Sequence, residues 1–272
     1  MRFFPKKQQM QSGRFCIGSL PKTPPPDIAA ETHVGNARHT NEDSFLVACL
    51  PGGSAALAAV ADGIGGEEAG EIASYFTLRY VLEEWLAAHR ANRLTSMTGA
   101  RKAFIQGLDK ANWFLGTINS RFGGKRFSSG STIVAVIVGR TKVCVAHAGD
   151  SRCYGWRHNT FVQLTKDHTE AQRLADYGEI THDKVAGHSA EHLLSNCVGM
   201  AIDMHVSVQE WPLRAGDQFL LCSDGVTKSL KDDDIGVLLH EAGSARAAVT
   251  DVIGTSLSKQ AHDNVTAAVV FV

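Results

Sequence analysis

The stretch that most limits how this chain can fold is Val60-Ala-Asp-Gly-Ile-Gly-Gly-Glu-Glu-Ala-Gly-Glu-Ile-Ala-Ser74. An apolar run, Ala55 to Ala61, stops at Asp62-Gly63, and Gly63, Gly65 and Gly66 precede a helical pattern. A strand that breaks into a glycine turn and then a helix leaves a carboxylate and bare backbone at the lip of a sheet. Glycine has no Cβ, so the main chain there can come close to a ligand. An aspartate beside a glycine carbonyl offers hard oxygens, the donors that magnesium and manganese prefer. Alone, Asp-Gly reads as a plain turn. The other acidic turns decide the matter.

Three of them share its character. The strand Thr141 to Ala148 delivers Gly149-Asp150-Ser151-Arg152 to a turn, and Gln218 to Cys222 ends in Ser223-Asp224-Gly225. His262-Asp263-Asn264 leads into the apolar strand Val265 to Val272. Asp217 precedes its strand and reads as an ordinary turn residue. Alternation along Thr141 to Ala148 puts His147 on the face opposite Asp150, which makes it a packed histidine rather than a ligand. Gly130 to Val138 is β-branched and apolar throughout, as a central strand buried on both faces would be. Phe45 to Leu50 and Ala55 to Ala61 form a hairpin across 51–54, and Cys153 to Trp156 pairs with Phe161 to Leu164. Met204 to Trp211 is a further strand.

Helical periodicity follows the glycine turn. Ala69, Ile72, Ala73, Phe76 and Tyr80 share one face, and Ala100, Phe104, Gly107, Leu108, Ala111, Leu115 and Ile118 mark a second helix. A polar link, 92–98, makes them an antiparallel pair able to cover a sheet. Lys231-Asp-Asp-Asp234 opens a short helix, where its acids suit the helix dipole, and a longer helix spans Ser244 to Ser258.

Bulk properties narrow the class. The chain has 272 residues, 44% hydrophobic and 20% charged, with a formal net charge of −1. That balance gives no electrostatic case for nucleic acid or an acidic membrane surface. No apolar run reaches the roughly 20 residues needed to span a bilayer. Six cysteines lack C-x-x-C spacing, and Cys49, Cys144 and Cys222 fall inside apolar runs, so a reducing, cytoplasmic setting is expected. Residues 1–27 read as a poorly ordered or extended leader, basic at the front and carrying Pro24-Pro25-Pro26. Residues 166–199 are polar and histidine-rich and suggest a solvated insertion over an active site. Within it, His188-Ser-Ala-Glu-His192 lacks the H-E-x-x-H pattern that would argue for zinc.

Asp62, Asp150, Asp224 and Asp263 all stand at the edges of apolar strands, three of them beside glycine. Stacked sheets bring such edges together, and clustered carboxylates repel one another unless cations lie between them. Two divalent ions about 4 Å apart would turn a bound water into a nucleophile near neutral pH and hold phosphate oxygens. The residues alone thus point to metal-assisted hydrolysis of a phosphate ester.

The ordered motifs Arg38-x-x-Asn-Glu-Asp43, Asp62-Gly-x-Gly-Gly66, Gly130-Ser-Thr132, Gly149-Asp-Ser-Arg152, Cys222-Ser-Asp-Gly225 and Asp263-Asn-Val-Thr266 resemble those of protein phosphatase 2C. This is the metal-dependent PPM family of Ser/Thr phosphatases, here of bacterial type. The likeness spans about Ile28 to Val272. It implies an α+β fold, a four-layer α-β-β-α sandwich with two central antiparallel sheets and a metal centre at the sheet edges. Residues 28–272 would be the catalytic domain, with 166–199 as its flap. By the same resemblance Asp62 bridges two Mn²⁺ or Mg²⁺ ions, with the Gly63 carbonyl on one of them. Asp224 and Asp263 complete the pair, and Asp150 with Asp224 holds a third ion. Asp43 belongs to the inner polar shell, and Arg38 grips the substrate phosphate. The implied reaction is hydrolysis of phosphoserine and phosphothreonine in proteins, opposing Ser/Thr kinases in bacterial signalling.

One position departs from the pattern. Many eukaryotic members carry Asp-Gly-His at the turn, that histidine being the proposed general acid, and here the position is Ile64. A metal-bound water or a histidine such as His39 are the candidates to protonate the leaving oxygen. Two other functions compete: a pseudophosphatase, which would be expected to have lost a metal aspartate, and a dinuclear phosphodiesterase, which would usually recruit histidine ligands.

Overall fold

The computed structural model describes residues 15–16, 26–50, 55–65, 69–122, 129–199 and 204–272. In chain order its first strands are β1 (Phe15–Cys16), β2 (Asp27–His33), β3 (Ser44–Cys49), β4 (Ala56–Ala61) and β5 (Gly63–Ile64). Helices α1 (Ala69–Arg90) and α2 (Met97–Phe122) follow. Next come β6 (Gly130–Ser131), β7 (Ile133–Val138), β8 (Lys142–Ala148), β9 (Arg152–Arg157) and β10 (Thr160–Gln163). After α3 (Glu170–Asp176) the order is β11 (Ser207–Pro212), β12 (Gln218–Cys222), α4 (Asp224–Ser229), α5 (Asp232–Glu241), α6 (Ala245–Ser258) and β13 (Val265–Phe271).

Two large sheets stack face to face. One has the order β1-β3-β4-β7-β8-β11 and the other β10-β9-β12-β13-β2, while β5 and β6 form a separate two-stranded ribbon. Pairing is antiparallel except at one edge, where β1 runs parallel to β3. The period of two sorts each strand's side chains between layers. On β4, Leu57, Ala59 and Ala61 face α1 and α2, where they meet Val81, Trp85, Phe104 and Leu108. Their neighbours Ala56, Ala58 and Val60 face the second sheet and pack with Ile28, Phe219, Leu221, Ala268 and Val270. The outer face of the second sheet, with Leu220, Ala267 and Val269, is covered by Ile235, Leu239, Val249 and Val252 of α5 and α6. Each fully buried Leu or Val contributes about 1.5–3 kcal/mol, so these three apolar layers hold the expected four-layer sandwich together.

Several local expectations are corrected. The strand expected over 130–138 is broken at Thr132, whose hydroxyl receives the Asp62 N–H at 3.1 Å and lies 2.6 Å from Ser151 Oγ. Its first two residues pair instead with Gly63 and Ile64. The strand expected from Met204 starts at Ser207, because the Asn196 side chain takes both the N–H and the carbonyl of His205. The second hairpin turns on His158 and Asn159, both left-handed (φ 48° and 60°), so its strands pair one residue further than expected, Arg157 with Thr160. Strand β2 and the short helix α4 were not foreseen. The 51–54 loop, Gly66 and all of the 1–27 leader except Phe15, Cys16, Pro26 and Asp27 lie outside the described residues.

Candidate metal centre

The strand ends bring the acidic turns together. Asp62 follows β4, Asp150 lies between β8 and β9, Asp224 follows β12, and Asp263 precedes β13. Burial pushes the Asp62 carboxyl well above the ordinary carboxylate range, and the like charges of Asp43, Asp224, Asp150 and Asp263 push it further. Asp150 is raised to about 7 by burial and by the neighbouring Asp224 and Asp167. Asp43, 7% exposed, is also raised to about 7, mainly by burial and against the hydrogen bond it accepts from Ser223 Oγ at 2.7 Å. All the sequence-predicted acids thus share one electrostatic neighbourhood.

Main-chain contacts fix the turns in place. Gly63 donates to the Glu42 carbonyl at 3.2 Å, and a Cβ on Gly63 would stand 2.0 Å from the Gly70 carbonyl. A Cβ on Gly225 would meet the Asn264 carbonyl at 2.0 Å, so the turns bearing Asp224 and Asp263 touch through bare backbone. Thr132 N donates to the Asp62 carbonyl at 2.8 Å, and the Thr132–Ser151 contact joins that turn to the one holding Asp150. Asn264 receives Glu42 N–H at 2.9 Å and donates to the carbonyls of Val34 and Thr40, bracketing the loop that carries Arg38.

Two cations answer the negative charge. Arg38, expected to grip the substrate phosphate, places Nη2 2.9 Å from Asp263 Oδ1. Lys228 Nζ lies 2.6 Å from Asp224 Oδ2 and 3.1 Å from Asp263 Oδ2. Burial would raise Asp263, but Lys228 and then Arg38 outweigh it and hold the carboxyl below its usual value. Among the described residues, no three His, Cys, Asp or Glu side chains stand close enough as placed to enclose an ion. The carboxylates are gathered around an ammonium and a guanidinium instead.

The donor set still fits divalent metal. It is all hard oxygen, its acids are largely withdrawn from solvent and mutually repelling, and Lys228 already stands in as a cation between two of them. Glu42 adds a buried Oε1 without a hydrogen-bond partner, and burial raises this acid too. Sequence reasoning missed Glu42 and Lys228 as parts of the site. The Asp224–Lys228 spacing of four on a helix is the signal that could have found the lysine.

The neighbouring histidines do other work. His147 is 3% exposed, with Nε2 2.8 Å from the Lys166 carbonyl, and it stacks on His168 at 4.5 Å. Burial and the neighbouring His147 push His168 down to about 4. It accepts from Gly149 N–H at 3.2 Å and from the Asn196 amide at 2.9 Å, so it pins both ends of 166–199 to the Asp150 turn. Asp167 adds a bidentate pair with Arg152. His39 is exposed beside Arg38.

Comparison with known proteins agrees with this architecture. A family model described as protein phosphatase 2C matches residues 32–265. A serine/threonine phosphatase, stp, of Listeria welshimeri is 28% identical, covering 86% of this chain and 91% of that one. The serine/threonine protein phosphatase PstP of Mycobacterium tuberculosis is 29% identical over 89% of this chain but only 44% of its own length. Among solved structures, PppA, described as a key regulatory component of T6SS in Pseudomonas aeruginosa, superposes with a TM-score of 0.77 at 27% identity, covering 91% and 97% of the two chains. The PstP catalytic domain in complex with two manganese ions gives 0.70 at 26% identity, covering 90% and 97%. The match runs through every acidic turn from Asp43 to Asp263, and with the stacked sheets behind them it makes this chain a member of the protein phosphatase 2C family.

Proposed function

We infer that this chain is a Mn²⁺- or Mg²⁺-dependent protein phosphatase, removing phosphate from phosphoserine and phosphothreonine in bacterial signalling. The observation that carries this reading is the convergence of Asp62, Asp150, Asp224 and Asp263, all hard-oxygen donors, in one electrostatic neighbourhood. Relatives named as Ser/Thr phosphatases support it, as does the two-manganese PstP structure.

In this reading Asp62, the Gly63 carbonyl, Asp224 and Asp263 would hold a pair of ions, and Asp150 with Asp224 would hold a third. The paired ions supply a water nucleophile near neutral pH and an electrophilic grip on the phosphate. Asp43, anchored by Ser223, keeps the inner polar shell in place behind Asp62. Arg38, with half its side chain exposed, exchanges its Asp263 contact for two phosphate oxygens, which a planar guanidinium can hold bidentately. Ile64 offers no proton to the leaving seryl or threonyl oxygen, so a bound water or His39 would have to supply it, and His39 is the side chain we assign for test. If His39→Ala leaves kcat and its pH dependence unchanged, that assignment fails.

The substrates would be phosphorylated proteins, among them Ser/Thr kinases or their targets, and the setting the cytoplasm. Cys144, Cys153 and Cys222 are buried free thiols among the described residues, as a reducing compartment permits. No described helix is long and apolar enough to cross a membrane. Residues 166–199 act as a flap that influences substrate choice. The test is phosphate release from a phosphothreonine peptide with Mn²⁺ and with EDTA. Metal-independent turnover would overturn the reading.

A further inference from the structure

Lys228 carries a positive charge to two of the acidic turns at once. It lies four residues after Asp224 on α4, and its Nζ bridges Asp224 Oδ2 at 2.6 Å and Asp263 Oδ2 at 3.1 Å. Arg38 takes the other oxygen of Asp263, so both oxygens of that carboxylate are engaged by cationic side chains. The Lys228 side chain nevertheless remains 41% exposed. A four-carbon stem can swing its ammonium outward without disturbing the helix that bears it.

We propose that Lys228 is a tethered placeholder cation, bridging Asp224 and Asp263 until a divalent ion displaces it, and so weakening the metal affinity of this chain. The proposal rests on reading Asp224 and Asp263 as metal ligands. An ammonium carries one charge and sits at hydrogen-bond distance, whereas magnesium carries two and draws oxygens to about 2.1 Å. The divalent ion therefore wins, but only after the lysine has left. Because the competitor is part of the chain, dilution does not remove it. If the bridged arrangement holds about nine molecules in ten, apparent affinity falls about ten-fold, in proportion to the fraction left open. The lysine also keeps Asp224 and Asp263 from repelling each other before metal arrives.

The experiment is a Mn²⁺ titration by calorimetry on metal-stripped wild type, Lys228→Gln and Lys228→Arg, with melting curves for each protein in EDTA and in saturating Mn²⁺. Lys228→Gln is expected to bind Mn²⁺ about ten-fold more tightly. It should melt lower than wild type in EDTA and level with it in Mn²⁺. Lys228→Arg, which keeps a cation, should bind more weakly than the glutamine variant. Superimposable isotherms for wild type and Lys228→Gln, or weaker binding by the latter, would overturn the placeholder while leaving the metal centre standing. Wild type that takes up no Mn²⁺ removes both. A Lys228→Gln protein that stays unfolded even in Mn²⁺ counts against displacement, since the ion would then not replace what the lysine supplies.

Discussion

The two ends of β12 make opposite use of an aspartate. At its start Asp217, 2% exposed, accepts Arg157 Nε and Nη2 at 2.6 Å each and Arg214 N–H at 2.9 Å. The same guanidinium donates to the Pro212 carbonyl. That carboxylate is locked by a planar fork and serves structure. Just past the other end, Asp224 is held by a partly exposed lysine, and its neighbours Asp43, Asp62 and Asp150 have weakened acidity. A satisfied buried ion pair leaves nothing to recruit a ligand, whereas crowded carboxylates held by a removable cation do. Burial alone does not mark a functional acid. The quality of its partner does.

The hardest test of this contrast is Asp62→Asn. It should lower kcat by at least about 10³-fold while near- and far-UV circular dichroism stay native; an active variant would put the chemistry elsewhere. Asp217→Ala should do the reverse. It leaves Arg157 half-buried without its carboxylate and should cost about 3 kcal/mol in denaturant titration, the low end for a broken buried pair because Arg157 stays 32% exposed. Its kcat per folded molecule should be unchanged. Next comes Arg38→Lys, for which we expect KM to rise about ten-fold with a smaller change in kcat, since a lysine cannot fork a phosphate. An unchanged KM would free Arg38 from substrate binding.

The mildest effect is on pH. Asp43 and Asp150 sit near 7 in the folded protein against an ordinary 3.8, so the folded chain keeps protons there that the unfolded chain releases. Their contribution to stability is full below about pH 4 and is lost as pH rises through 7. Asp263, held low, works in the opposite sense but at pH below its ordinary 3.8. In EDTA the melting temperature should therefore fall between pH 4 and 7. Asp217→Ala should keep that slope, and Asp150→Asn should flatten it.

Much of this could be read from residue order. Long apolar runs such as Ala55 to Ala61 are unambiguous because they are buried on both faces, and the acidic turns follow from where those runs stop. What escaped was set by contacts distant in sequence. The break at Thr132 depends on Ser151 and Asp62, and the late start of β11 depends on Asn196. Asp217 looked like a surface turn because nothing near it in sequence announces Arg157. Arg38 finds Asp263 rather than the nearby Glu42 because β2 and β13 lie side by side. Periodicity carries local form, but it does not say which polar side chains will meet.

The place of β13 has a consequence for biosynthesis. It lies between β12 and β2, with Val265 opposite His33 and Phe271 opposite Asp27. While the ribosome is still translating, β2 emerges early and waits for a partner made more than two hundred codons later. Contacts of such separation form slowly. The second sheet, and with it the Asp263 corner, can close only once that stretch has left the exit tunnel. A nascent copy would thus stay catalytically silent until β13 had emerged and paired with β2.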